Sequence, residues 1–219
     1  MLGSMTVRGL LLAAALGAAL AVPLAGCGTA SPSSPPAGVD ELVIPTPSPD
    51  PADFVAEVDN PWFPLEDGRT WRYTVADTAG THDLTVAATA GPTVAGVATT
   101  ARVSREAGRR VVDWYAQDES GNVWWFGREG EWQAGVDGAE AGLVMPAAPR
   151  VGDGFRPAYA EGVVEDTVGV VAVADDQVVV ERRSDLRPGT TDQLTFERGT
   201  GLVQEEQTTG TYRVVRLVG

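Results

Sequence analysis

Residues 111–128 read VVDWYAQDESGNVWWFGR, two runs of β-branched and aromatic residues on either side of an acidic turn that contains glycine. Such runs favour strands, and a Ser-Gly-Asn turn closes a hairpin readily. Because successive strand residues point to opposite faces, Trp114 and Tyr115 lie on different sides of the first strand. Trp124 and Trp125 likewise lie on different sides of the second strand. The hairpin is therefore either a central strand pair buried on both sides, or one wall of a concave aromatic groove for an apolar or sugar ligand.

Alternating runs of the same kind continue through most of the chain after residue 67. The predicted strands are residues 68–75, 84–88, 94–103, 110–117, 122–127, 167–174, 177–182, 191–197, 202–207 and 211–218. Turns rich in glycine, proline or acidic residues separate them, for example at residues 90–92, and only residues 53–58 show a helical pattern. This spacing predicts an all-β fold, a single antiparallel meander. Because a flat sheet of this many strands would expose its edges, we expect a strongly curved sheet, half-barrel or barrel-like.

The N-terminal region has the parts of a bacterial secretion signal in their usual order. Arg8 supplies the positive charge, and residues 9–26 are almost wholly apolar. A membrane-spanning helix is the alternative, but Pro23 disfavours it. Leu24-Ala25-Gly26-Cys27 resembles the lipobox of bacterial lipoproteins. The resemblance implies cleavage before Cys27, lipidation of Cys27 and attachment to the outer, extracytoplasmic face of the cell membrane.

These features divide the chain into three parts. Residues 1–26 are predicted to be a signal peptide. Residues 27–52 hold the lipidated cysteine and a tether rich in proline and serine. The tether is predicted to be disordered, because so few apolar side chains cannot offset the entropy cost of ordering it. Residues 53–219 are predicted to be the all-β extracytoplasmic domain.

Charge and cysteine content exclude several classes of partner. The chain has 16 basic residues, all arginine, against 30 acidic ones, and its formal net charge is −14. Nucleic acid is not an expected partner, because binding it requires clustered positive charge. The expected partners are the membrane through the lipid anchor, a lipid or other amphiphilic ligand, and a cell-envelope protein. Cys27 is the only cysteine, so no intramolecular disulfide or thiolate metal site can form.

Few residues suggest catalysis. His82 is the only histidine, and it follows Gly80 and Thr81 at a predicted turn, where an exposed histidine is ordinary. The chain contains neither a Gly-x-Ser-x-Gly elbow nor a glycine-rich phosphate loop. We therefore predict no catalytic residue, no resident metal and no cofactor.

Two acidic clusters keep alternatives open. Glu161, Glu165 and Asp166 lie close in sequence and would serve a carboxylate-dependent hydrolase. Residues 118–122, Asp-Glu-Ser-Gly-Asn, have part of the spacing of a calcium loop. A hairpin turn is the simpler interpretation of that stretch, because Ser-Gly-Asn forms one readily.

Two pairs of motifs resemble a family of secreted proteins found mainly in actinobacteria. They are DNPWFPL at 59–65 leading to GRTWRY at 68–73, and DWYAQD at 113–118 leading to GNVWWFG at 121–127. The resemblance extends over nearly the whole domain and implies no particular activity. A looser similarity, in fold only, connects the chain to lipoprotein carriers built as half-barrels around an acyl-chain cavity.

The sequence therefore favours a lipid-anchored, non-catalytic binding domain for an apolar or amphiphilic molecule of the cell envelope. A domain displayed at the surface to bind another protein is the alternative. The candidate ligand groove consists of four aromatic residues, Trp114, Trp124, Trp125 and Trp132.

Overall fold

The computed structural model describes residues 50–218. The predicted signal peptide, the Cys27 anchor and nearly all of the tether lie outside the described residues. Among those residues, no helix has both the length and the apolar character needed to cross a membrane.

The described chain is built from strands, which confirms the all-β prediction. A 3₁₀ turn at Pro51–Asp53 precedes them. In chain order the strands are β1 (Phe54–Val55), β2 (Thr70–Asp77), β3 (Gly80–Val94), β4 (Val97–Glu106), β5 (Arg109–Asp118), β6 (Val123–Arg128), β7 (Trp132–Gln133), β8 (Glu140–Met145), β9 (Gly154–Phe155), β10 (Ala158–Tyr159), β11 (Asp166–Val173), β12 (Gln177–Ser184), β13 (Thr191–Glu197), β14 (Gly201–Thr209) and β15 (Arg213–Leu217).

The 15 strands form one antiparallel sheet that is curled but not closed into a barrel. Strands β2 to β6 form one meander and β11 to β15 another, and β15 pairs with β2 to join them. At one end of the sheet β9 pairs with β11, and at the other end β10 pairs with β8. Only Arg156 and Pro157 separate β9 from β10. One short segment therefore covers both ends of the sheet, and covered edges are less able to pair with other chains.

Gly142 on β8 allows this segment to approach closely. A Cβ atom at residue 142 would lie 2.4 Å from the carbonyl oxygen of Arg156 and 2.7 Å from the backbone nitrogen of Ala158. Only glycine fits against backbone atoms at that distance.

The alternation predicted for β2 is confirmed, because Trp71, Tyr73 and Val75 are all buried in the main core. The aromatic hairpin of β5 and β6 is buried on both faces, and every residue of β6 except Arg128 is buried. A small second cluster lies around Val112, and Trp114 packs against both this cluster and the main core.

The predictions for residues 90–92 and 53–58 are wrong. The turn expected at residues 90–92 lies inside β3, where a bulge interrupts its ladder to β4. The chain reverses instead at Ala95 and Gly96, which both adopt positive φ, as a tight hairpin turn requires. The helical turn expected at residues 53–58 is also misplaced. It ends at Asp53, and the chain then enters β1, which pairs with β5.

The segment at 59–65 folds over the hairpin through hydrogen bonds of buried amides. The Asn60 side chain is buried, and its Nδ2 donates to the carbonyl oxygens of Gly121 at 2.8 Å and Pro146 at 3.2 Å. Gln117 on β5 accepts the backbone N–H of Asn60 at 2.7 Å and donates from Nε2 to Asp59 Oδ1 at 2.6 Å. The motif at 59–65 is therefore in direct contact with the hairpin motif at 113–127.

Candidate functional site

A cavity of about 470 Å³ is lined by residues from both meanders of the curled sheet. Much of its lining is aromatic or aliphatic. The first meander supplies Trp71, Tyr115 and Trp125, and the second supplies Val168, Val180, Leu194 and Phe196. Phe63, Pro64 and Leu65 from the segment before β2 complete this apolar surface. The volume is within the range of small-molecule sites, about 300–1,000 Å³.

Four arginines also line the cavity. They are Arg102 on β4, Arg128 on β6, Arg182 on β12 and Arg187 in the loop after β12. The alternation of the strands explains why the first three face inward. Arg102 and Arg128 are each in register with Asp113 on β5, so they share its face, which is also the face of Tyr115. Arg182 shares its face of β12 with Val180.

Arg128 is held by a nearly buried carboxylate. Its Nε donates to Asp113 Oδ1 at 2.7 Å, and its guanidinium lies 5.2 Å from the ring centroid of Trp125. Burial acts to lower the pKa of Arg128, but the charge and hydrogen bond of Asp113 outweigh it and raise the pKa. Arg128 therefore remains a cation at the cavity wall.

Arg182 joins two carboxylates through a single nitrogen. Its Nη2 donates to Asp192 Oδ2 and to Glu205 Oε1, both at 2.9 Å. Its Nε is buried and has no hydrogen-bond partner among residues 50–218. Burial acts to lower the pKa of Arg182, but Glu205 and Asp192 together raise it above the ordinary value. This guanidinium therefore keeps donor capacity that the protein does not use.

Tyr115 lies near arginines that belong to both meanders. Its ring stacks on Trp125 with centroids 6.3 Å apart. Burial raises the pKa of the Tyr115 hydroxyl well above its ordinary value, and Asp113 raises it further, while Arg102, Arg128 and Arg182 lower it. The phenol is therefore a neutral hydrogen-bonding group that feels three guanidinium charges.

The exposed part of the lining marks the mouth of the cavity. Val163 is 44% exposed and Leu186 is 41% exposed, and Arg187 beside Leu186 is also exposed. The mouth therefore combines apolar side chains with a cation.

The four predicted groove tryptophans do not line one surface. Trp125 lines the cavity, and its indole Nε1 donates to the carbonyl oxygen of Gly127. Trp124 is fully buried in the core and donates to Asp118 Oδ2 at 2.9 Å. Trp114 and Trp132 line a second pocket of about 490 Å³. That pocket shares Arg128 with the cavity, and Trp132 packs edge-on against Trp125 at 4.9 Å.

Other residues considered from the sequence have structural roles. The prediction that His82 lies at a turn is wrong. His82 is in β3, half-buried, with Nε2 2.9 Å from Glu106 Oε1. Both carboxylate oxygens of Asp118 accept hydrogen bonds from Asn122, within the turn that joins β5 to β6. Throughout the described part of the chain, no group of three or more His, Cys, Asp or Glu residues could hold a metal ion.

The acidic cluster at 161–166 is divided between different surroundings. Glu161 lines the second pocket, and Asp166 lines the cavity. Glu165 accepts the backbone N–H of Gly162 at 2.7 Å and so stabilises the turn before β11.

The arginines of the cavity are not among the residues selected from the sequence. A signal for them exists in the strand pattern. Arg182 continues the alternation of Val178 and Val180, which places a charged residue at a position predicted to face inward. Arg102 is harder to find, because small and β-branched residues occupy both faces of β4.

The fold and the cavity together define an all-β protein with an internal site that is both aromatic and rich in arginine. No family model matches the chain, and no curated protein matches it. A solved structure of a candidate lipoprotein from Parabacteroides distasonis is 10% identical, over 71% of this chain and 96% of that one, with a TM-score of 0.33. A likeness this distant carries no argument about this chain.

Proposed function

We propose that this protein is a lipid-anchored, extracytoplasmic binding protein whose cavity holds an amphiphilic molecule of the cell envelope. The observation that carries the proposal is the cavity of about 470 Å³ with its largely aromatic and aliphatic lining. Burying apolar ligand surface there is favourable by about 25 cal/mol per Å². The polar groups on the same wall suit a ligand with one polar end.

The remaining support comes from the mouth of the cavity and the N-terminal sequence. Exposed Val163 and Leu186 at the mouth give an apolar ligand a continuous path from the surface inward. The lipobox-like residues before Cys27 would place the domain at the membrane surface, where amphiphiles are concentrated.

The test is native mass spectrometry of the full chain carrying Cys27→Ser, so that no acyl anchor is added. The protein is incubated with a detergent-free lipid extract of its host. Val168→Trp fills the cavity from β11. Val171→Trp is the matched control, because residue 171 is on the same strand and 41% exposed. Circular dichroism checks that each variant is folded.

We expect a discrete added mass on the parent chain and on Val171→Trp, and its loss from Val168→Trp. A bare protein mass from a folded parent chain would refute the proposal. Equal added mass on all three proteins would mean that the lipid binds outside the cavity, which also refutes it.

A further inference from the structure

We propose that the ligand is an anionic amphiphile, whose carboxylate or phosphate headgroup accepts hydrogen bonds from Arg102, Arg182 and Tyr115. This inference rests on the proposed function and specifies the chemistry of its ligand. The argument depends on unused donors, on how the nearby carboxylates are engaged, and on the convergence of the two meanders.

The cavity wall holds more hydrogen-bond donors than the protein satisfies. A guanidinium has five N–H groups. Arg182 uses only Nη2 for its two carboxylates and leaves Nε buried without a partner. Arg102 donates from one terminal nitrogen to Ser104 Oγ at 3.1 Å, also interacts with the Tyr73 hydroxyl, and forms no ion pair within residues 50–218. Surplus donors of this kind favour a ligand that brings acceptors.

Three carboxylates behind the cavity wall are engaged by the cavity arginines. Asp113 accepts from Arg128, and Asp192 and Glu205 both accept from Arg182. Asp166 also lines the cavity, at the start of β11. Because Arg102 has no carboxylate of its own, it is the cation with most to gain from a ligand anion.

The donors converge from opposite walls. Arg102 and Arg128 belong to the first meander and Arg182 to the second, yet all three line the same cavity as Tyr115. The Tyr115 hydroxyl makes no hydrogen bond to any described residue, whereas the Tyr73 hydroxyl donates to the carbonyl oxygen of Leu202 at 3.0 Å. A headgroup beside Tyr115 would therefore meet donors on several sides.

The net charge of the whole chain determines how an anion can be held at this cluster. The chain has a formal net charge of −14, so its long-range field repels anions. An anion must then be retained by short-range contacts in a site partly shielded from water, where bidentate and charge-assisted hydrogen bonds are strongest. The aromatic residues Trp71 and Trp125 and the aliphatic residues of the second meander remain for the apolar tail.

The test compares probes that share one tail. Equilibrium dialysis of the full chain carrying Cys27→Ser measures the binding of dodecanoate, dodecyl phosphate, dodecanol and dodecyltrimethylammonium. All variants carry the same N-terminal region, so any binding there is a constant background. Arg102→Gln removes the unpaired cation. Arg105→Gln is the matched control, because Arg105 is exposed on the same strand.

We expect at least one of the two anionic probes to bind at least tenfold more tightly than dodecanol. The cationic probe, dodecyltrimethylammonium, should bind weakly. Arg102→Gln should reduce that preference at least fivefold, and Arg105→Gln should leave it unchanged. Comparison of dodecanoate with dodecyl phosphate distinguishes a carboxylate from a phosphate headgroup. If Arg102→Gln does not fold, Arg187→Gln at the exposed mouth should reduce the same preference at least twofold.

Two results would overturn the inference and leave the proposed function standing. One is equal affinity for dodecanol and both anions, unchanged in the arginine variants but lost in Val168→Trp. The other is tightest binding of the cationic probe, which would mean that Asp166 and its neighbours set the preference. If no probe binds in a manner sensitive to Val168→Trp, the proposed function fails as well.

Discussion

Replacing Gly142 by alanine is expected to destabilise the protein by about 2–3 kcal/mol, the upper part of the usual range for overpacking a close-packed site. The new Cβ would lie 2.4 Å from the carbonyl oxygen of Arg156 and 2.6 Å from the carbonyl carbon of Pro157. Both contacts are with backbone, so no flexible side chain can move aside. The strained segment joins the two ends of the curled sheet, and Pro157 itself lines the cavity. For a domain of this size the expected fall in Tm is about 5–10 °C.

The matched control is Gly154→Ala at the other end of the same segment. The nearest atom to a Cβ there is the carbonyl oxygen of Val168 at 3.9 Å, an ordinary contact. Its effect should be within about 1 kcal/mol, because alanine also reduces the entropy of the unfolded chain. Urea unfolding followed by circular dichroism measures both variants. Equal stability of the two variants would refute the view that tight backbone contact at Gly142 holds the ends of the sheet together.

Three further predictions concern polar groups. Asn60→Ala should lower the free energy of unfolding by about 3–4 kcal/mol, because it leaves several buried backbone groups without partners; a loss below 1 kcal/mol in urea unfolding would contradict this. Arg213 and His82 lower the pKa of Glu106 below 4.5. The stabilisation by Glu106 is therefore present above pH 4.5 and lost as the pH falls through the folded-state pKa. Glu106→Gln should cost about 1 kcal/mol at pH 7 and progressively less as the pH falls below 4.5, as unfolding at several pH values will show. Trp124→Phe should destabilise more than Trp132→Phe by about 1 kcal/mol in thermal unfolding, because the indole Nε1 of Trp124 donates to Asp118 and that of Trp132 has no partner among the described residues.

The strands with strict alternation are those that could be predicted from the sequence. Trp71, Tyr73 and Val75 form such a pattern, and β2 is found there with the expected face buried. The two-residue strands could not be predicted, because a pair of residues has no period. Strand β8 was missed for a different reason. Its Ala-Gly-Leu-Val run lacks alternation, since Ala141, Gly142 and Leu143 are all buried against neighbours on both faces.

The candidate site was predictable only in part. The hairpin aromatics identify the correct region, since Trp125 lines the cavity. The pleat places Trp124 and Trp125 on opposite faces, and a bulge between the pairs Trp114–Gly127 and Tyr115–Trp125 lets Arg128 share the face of Trp125. Which strand residues join Trp125 at the cavity wall therefore depends on a register shift and on partners far along the chain. No local pattern contains that information.

The composition of the cavity wall is itself an argument for a ligand. Buried ion pairs are often no more stabilising than apolar residues of similar volume, because desolvation of the charges offsets their attraction. Asp113, Arg182 and Asp192 occupy inward positions where valine or leucine would serve the fold as well. Arg182 even leaves one buried donor without a partner, an arrangement that costs stability. A wall chosen for stability alone would not retain these groups. A wall that holds a polar headgroup beside an apolar tail, as we propose, would use them.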